Sequence, residues 1–187
     1  CKANSVLVDT AADAQCSVLD RFRFKGGLRP GAWRHDLALI KDHIRTQRPD
    51  IIHVNGSQDH WTCALGNRML GRPVCTVRTR HNTYKVHDAL PNRILNRNWT
   101  DFQIVVCNVV RHNLARQRAF DPERMCSIHN GVDAELFRPD DEQRQRIRAE
   151  FGYGHDELVC GMVARMVPAK GHEFLFKAVA KASRNFP

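Results

Sequence analysis

Apolar residues recur along this chain in two alternating rhythms. Between His35 and Gln47, Leu37, Ile40 and Ile44 fall on one helical face, and Pro49 stops the helix just before the apolar run Ile51 to Val54. This order predicts a helix followed by a strand. Asn55 and Gly56 close that strand, Trp61 to Leu70 reads as a second helix ended by Gly71, and Val74 to Val77 as the next strand. Pro91 to Thr100 follows as a short helix, Phe102 to Cys107 as a strand, Val109 to Ala119 as a helix, and Met125 to Ile128 as a strand closing in Asn130-Gly131. Strands separated by helical stretches imply right-handed βαβ crossovers and a parallel sheet covered on both faces. In the first 34 residues only Ser5 to Val8 and Ser17 to Leu19 offer strand-like runs, and Gly26-Gly27 and Pro30-Gly31 mark loops.

The character changes after Gly131. Asp140 to Glu150, DDEQRQRIRAE, is very polar, bounded by Pro139 and by Phe151-Gly152, and reads as a linker helix. A fresh βα unit then opens at Leu158, which places the boundary between two α/β domains at 138/139. Residues 1–138 form an incomplete first domain, and 139–187 a linker helix with the first βα unit of a second.

Composition narrows the class. The chain has 187 residues, 42% hydrophobic and 26% charged, as expected of a globular protein with a core. Seven cysteines are scattered without a CxxC spacing, which supports neither a disulfide framework nor a zinc ribbon and fits a reducing compartment. No metal site is expected. No apolar stretch approaches the roughly 18 residues of a membrane span. The formal net charge of +9 favours anionic partners: nucleotides, phosphorylated sugars, nucleic acid or acidic lipid headgroups. Its basic residues are spread out instead of forming one tract with interleaved aromatics, which argues against a dedicated nucleic-acid surface.

The segment that opens at Leu158 and runs to Ala178 carries the sharpest chemical signal. Leu158, Val159, Met162 and Val163 suit a strand, while Phe174, Leu175, Ala178 and Val179 recur at helical spacing. Arg165 and Lys170 fall on the loop between. Ligands of open parallel sheets collect beyond the carboxyl ends of strands, where helix N-termini offer free N–H groups to anions. A phosphate is expected beside these two side chains; an ordinary βα junction with two solvated cations is the alternative. No GxSxG elbow is present to support a hydrolase.

Five segments occur in order with βα spacing: RPDIIHVNG at Arg48 to Gly56, TVRTRHNT at Thr76 to Thr83, IVVCNVVRHNL at Ile104 to Leu114, SIHNGVDAELFRP at Ser127 to Pro139, and GMVARMVPAKGHEFLFKAV at Gly161 to Val179. Together they resemble glycosyltransferase family 4. The resemblance implies an α/β fold of two Rossmann-like domains (GT-B), with parallel sheets covered by helices and the second domain incomplete here. It implies transfer of a sugar, with retention, from a nucleotide-sugar donor to a saccharide or lipid-linked acceptor, without a cofactor, in cell-envelope polysaccharide or glycolipid biosynthesis. Arg165 and Lys170 resemble the pair that grips the donor diphosphate. His81 resembles a histidine facing the cleft near the transferred sugar, and Asn130 and Gly131 the turn at the cleft floor, although a plain turn in which Gly131 takes positive φ reads equally well. Arg80 is a candidate for a phosphate-bearing acceptor, with Arg78 beside it, and a solvated face is the plainer expectation for both.

Two departures from the family pattern stand out. No Gly-rich loop opens the chain, and the pair of glutamates expected beyond the KG motif is absent before Pro187, so a piece of a longer protein is expected. A cytoplasmic location, peripheral on the inner face of the cytoplasmic membrane, follows from the resemblance and the positive balance. A basic α/β module that binds nucleic acid or anionic membrane without chemistry is the alternative from another class, and its binding would weaken steeply with salt. Epimerases and phosphorylases share the architecture, so fold alone does not choose the reaction.

Overall fold

The computed structural model describes residues 6–25, 29–81 and 86–184. The chain divides into two compact units, Cys1–Gly131 and Val132–Pro187, with the division seven residues ahead of the boundary expected at 138/139.

The first unit is an open α/β layer. Helix α1 spans Val6–Asp13 and α2 spans Pro30–Gln47. Proline at the first position of α2 suits a site where no N–H is needed, and Arg48 in the left-handed region (φ 45°) ends the helix ahead of Pro49. Strand β1 (Ile51–Val54), α3 (Ser57–Met69), β2 (Cys75–Arg80), α4 (Leu90–Arg93) with a π-helical turn Ile94–Asn98, β3 (Phe102–Val105), α5 (Asn108–Ala115) and β4 (Met125–Ser127) follow. The predicted Pro91–Thr100 helix is therefore a composite of α and π geometry. The weak strand expected at Ser5 to Val8 is corrected: Val6 to Val8 open α1, and Ser5 lies outside the described residues, as do Gly26 and Gly27. Ser17 to Leu19 is irregular.

All four strands are parallel, in the order β1-β2-β3-β4. Consecutive right-handed crossovers advancing in one direction put every connecting helix on the same side of the sheet. Alternation along the strands divides the residues accordingly. Val54, Thr76, Arg78, Gln103, Val105 and Met125 share the helix-bearing face and are buried, whereas Ile51, His53 and Cys75 on the opposite face are exposed.

Two apolar clusters lie beneath the helices. Phe22, Ile40, Ile44, Val54, Cys63 and Val74 pack at the β1 side, and Val105, Val110, Leu114, Ala119, Phe120 and Met125 at the β3–β4 side. Between them, under β2, runs a polar seam. Asn67 Nδ2 donates to the Val74 carbonyl (2.6 Å) and to Thr76 Oγ1 (3.1 Å). Asp101 accepts from the Thr76 amide at 2.8 Å and from Arg72. Buried polar groups cost free energy unless paired, and here the pairs tie α3 and the loop before β3 to β2.

The second unit contains α6 (Asp141–Glu150), capped by the Asp140 carboxylate accepting from the Gln143 amide at 2.8 Å, and α7 (His172–Ala182). The polar linker helix is thus present. The strand expected over Leu158 to Val163 is not: the segment is irregular, and Leu158 and Val163 are fully exposed. A strand forms by hydrogen bonding to a neighbour, and among the described residues of this unit no second extended segment pairs with it.

Candidate functional site

Because the strands are parallel, their carboxyl ends share one edge of the first unit. Asn55 and Gly56 follow β1, His81 follows β2, Cys107 follows β3, and Asn130 and Gly131 come shortly after β4. Helices α3 and α5 begin at this edge, with Gly56 and Cys107 at their N-caps and neither N-cap side chain accepting from the first-turn amides. Free N–H groups and the helix dipole make such an edge receptive to polar and anionic groups.

His81 is exposed there, with Nε2 2.9 Å from Asn55 Oδ1. Asn82 and Thr83 of the same motif lie outside the described residues. The β1 side of the edge is fixed by Asp59, whose Oδ2 accepts from the Asn55 amide (3.0 Å) and the Gly56 amide (2.8 Å). A side chain at position 56 would collide with this carboxylate, since a Cβ there would lie 2.6 Å from Asp59 Oδ1. Asn130 and Gly131 are exposed and irregular, and Gly131 is not among the described glycines with positive φ, which are Gly71, Gly152 and Gly171. The plain turn offered as the alternative there thus does not use the left-handed region at Gly131.

Arg78 and Arg80 are not on a solvated face. Arg78 is only 4% exposed, donates to the Gly56 carbonyl, and sits 3.9 Å from Asp59. Burial holds its guanidinium below the usual arginine range, partly offset by Asp59. Arg80 donates from Nη2 to Asn96 Oδ1 at 2.6 Å and stacks over the Phe120 ring at 5.0 Å. Burial, with the Arg78 charge as a second cause, pushes it down to about 10, so it stays cationic at neutral pH. The reason lies in strand geometry: both residues alternate onto the face that α3 and the π turn cover.

His60 of α3 belongs to the same buried layer. Its Nε2 is 2.7 Å from Thr100 Oγ1, whose single hydroxyl proton goes to the Leu95 carbonyl at 2.7 Å. Thr100 must therefore accept, and His60 carries its proton on Nε2. Desolvation foremost, then the charges of Arg78 and Arg80, lowers its pKa from 6.5 to about 3. Sequence reasoning did not single out Asn55, Asp59 or His60. An Asp three residues after Gly56 at a helix start was the one legible sign.

In the second unit, Arg165 and Lys170 lie on the loop leading into α7. The Val167 amide donates to the Arg165 carbonyl at 2.8 Å and the Lys170 amide to the Val167 carbonyl at 2.9 Å, which folds the loop tightly through the 3₁₀ turn Pro168–Lys170. Gly171, at φ 75°, then starts α7, and no side chain caps the helix. Both basic side chains are exposed and make no hydrogen bond or ion pair among the described residues. His81, Arg80, Asn130 and Gly131 thus belong to the first unit, and Arg165 and Lys170 to the second.

An open parallel sheet with helix N-termini and polar side chains at its carboxyl edge defines the Rossmann-like α/β class, whose members bind ligands at that edge. The family model described as Glycosyltransferase Family 4 matches residues 8–136, more than half of the chain, and the chain belongs to that family. D-inositol 3-phosphate glycosyltransferase 1 of Catenulispora acidiphila is 43% identical over 60 residues, 32% of this chain and 14% of that protein. The putative glycosyltransferase EpsF of Bacillus subtilis is 26% identical over 149 residues, 75% of this chain and 39% of that protein. A glycosyltransferase structure from Rickettsia africae superposes with a TM-score of 0.78 at 18% identity, covering 97% of this chain and 48% of that one. The fold is therefore GT-B-like, and the chain spans less than half the length of these relatives. No helix among the described residues is long and apolar enough to cross a membrane.

Proposed function

We propose that the protein to which this chain belongs transfers a sugar, with retention, from a nucleotide-sugar donor to a saccharide or lipid-linked acceptor in the synthesis of envelope polysaccharide or glycolipid. Family membership supports transfer, and the names of its relatives, an inositol-phosphate glycosyltransferase among them, support a polar or phosphorylated acceptor. The observation that carries the donor side is the Arg165–Lys170 loop, where two uncommitted cations precede the uncapped N-terminus of α7.

Transfer breaks the bond between the anomeric carbon and a phosphate oxygen and forms one to an acceptor oxygen. Negative charge gathers on the departing nucleoside diphosphate while the sugar becomes oxocarbenium-like. Fixed positive charge and amide N–H groups at the departing oxygens lower that barrier, so Arg165 and Lys170 supply what a metal ion would otherwise provide. Arginine offers two parallel donors and lysine a compact charge, which suits two unlike phosphate oxygens. His81 lies on the acceptor-side unit and contributes a hydrogen bond to the transferred sugar. The reaction takes place in the cytoplasm, at the inner face of the membrane when the acceptor is lipid-linked.

The test is release of nucleoside diphosphate from nucleotide-sugars by the longest reading frame containing this chain. Arg165→Ala or Lys170→Ala should each lower turnover about 10²–10³-fold, by analogy with loss of one preorganised oxyanion donor. Unchanged kinetics in both variants would remove the donor-site assignment. Salt-sensitive binding of nucleic acid or anionic vesicles, with no preference for nucleoside diphosphates, would favour the non-catalytic module instead.

A further inference from the structure

We propose that Asn55 is a positioning residue for His81: its side-chain carbonyl accepts from Nε2–H, holds the ring in the Nε2-protonated tautomer, and leaves Nδ1 as the ring nitrogen without a partner among the described residues. Asn55 Oδ1 carries only lone pairs, so the 2.9 Å contact requires a proton on His81 Nε2. With Val54 opposite Arg78 in the β1–β2 register, the contact is a diagonal pair across adjacent strand ends. The same diagonal is already used one step earlier on the same face, where His53 Nε2 is 2.7 Å from Thr79 Oγ1. Two successive polar rungs therefore link β1 and β2 as they approach the carboxyl edge.

Asn55 is exposed, yet its backbone is not loose. Asp59 accepts from the amides of Asn55 and Gly56, and Arg78 grips the Gly56 carbonyl from the buried face of the sheet. The buried arginine thus acts through Gly56 and Asp59 on where Asn55 points. This gives Arg78 a purpose that solvation would not: it anchors the loop that orients His81.

The tautomer selects the partner. A neutral ring with Nδ1 free presents a lone pair, which takes a hydroxyl or N–H donor and repels an unprotonated phosphate oxygen. His81 is accordingly matched to a sugar hydroxyl and not to the donor diphosphate. That consequence rests on the sugar-transfer reading; the tautomer itself does not.

The experiment uses the 187-residue chain labelled with ¹⁵N-histidine, and two-bond ¹H–¹⁵N correlations in mildly alkaline buffer, with His81 assigned through H81Q. In the parent, His81 should show the Nε2-protonated pattern alone. N55A should add the second tautomer and remove the hydrogen-bonded ring N–H signal, whereas N55D, whose carboxylate still accepts, should retain the parental pattern. His60 is an internal control, since its Nε2–H is fixed by Thr100 and its signals should be the same in every variant that folds. An Nδ1-protonated His81 in the parent, or identical His81 signals in the parent and N55A, would overturn the proposal. Failure of sugar transfer would instead count against the functional reading and leave the tautomer result standing.

Discussion

His60 is a single side chain whose chemistry is decided by what covers it. A histidine in water titrates near 6.5, but here desolvation and two neighbouring guanidiniums hold it neutral down to about pH 3. The folded pKa is depressed, so the linkage runs one way. Above pH 6.5 neither state is protonated and the full stability is present. As pH falls from 6.5 toward 3 only the unfolded chain takes up the proton, and stability is lost at up to about 1.4 kcal/mol per pH unit. Urea midpoints of the parent should therefore fall more steeply over that range than those of His60→Gln, which keeps a donor toward Thr100 and cannot titrate. Parallel profiles would mean that the ring is hydrated in the folded state. Nothing in the local sequence Gln58-Asp59-His60-Trp61 marks this histidine; its pKa is a property of packing against residues 18 to 40 positions away, Arg78 and Thr100 among them. His81 is the converse case. Its position after a strand was legible from the pattern, while its tautomer depends on Asn55, 26 residues earlier.

At the scale of elements, α2 and α3 meet at a glycine. A Cβ added at Gly66 would lie 2.5 Å from Ile40 Cγ2, closer than real side chains approach, and both residues are buried. Gly66→Ala should gain the helix preference of alanine, about 1 kcal/mol, yet lose more through overpacking, about 1–3 kcal/mol. The decisive comparison is a double-mutant cycle. In an Ile40→Ala background the methyl has room, so Gly66→Ala should become neutral or stabilising. Equal costs in both backgrounds would show that the clash is relieved elsewhere. The helical rhythm of Leu37, Ile40 and Ile44 announced α2, and Pro49 announced its end, because periodicity and proline geometry are local. Which residue faces Ile40 was not readable, since helix-to-helix contact is set by the crossing of two elements.

For the whole molecule, burial is concentrated in one unit. Val105, Ala119 and Phe120 are almost wholly buried in the first, whereas no described residue beyond Gly131 is buried. Amides that pair across β1–β4 should accordingly exchange slowly with solvent, while those of residues 158–163, without a neighbouring strand, should exchange nearly as fast as in an unstructured peptide. Slow exchange over 158–163 would mean that the segment is paired in solution. The same contrast marks the limit of pattern reading. The sequence by itself determined the order of strands and helices in residues 35–131, the parallel α/β class and the family, because each rests on local periodicity, turn residues and motif order. It equally announced a strand at Leu158 to Val163, which does not form here, since a strand is made by its neighbour. The tertiary structure decided that Arg78 and Arg80 turn inward under α3 and the π turn, that His60 stays neutral, and that Asn55 meets His81. These outcomes depend on strand register and on which face the crossovers cover, and both arise only when distant segments pack.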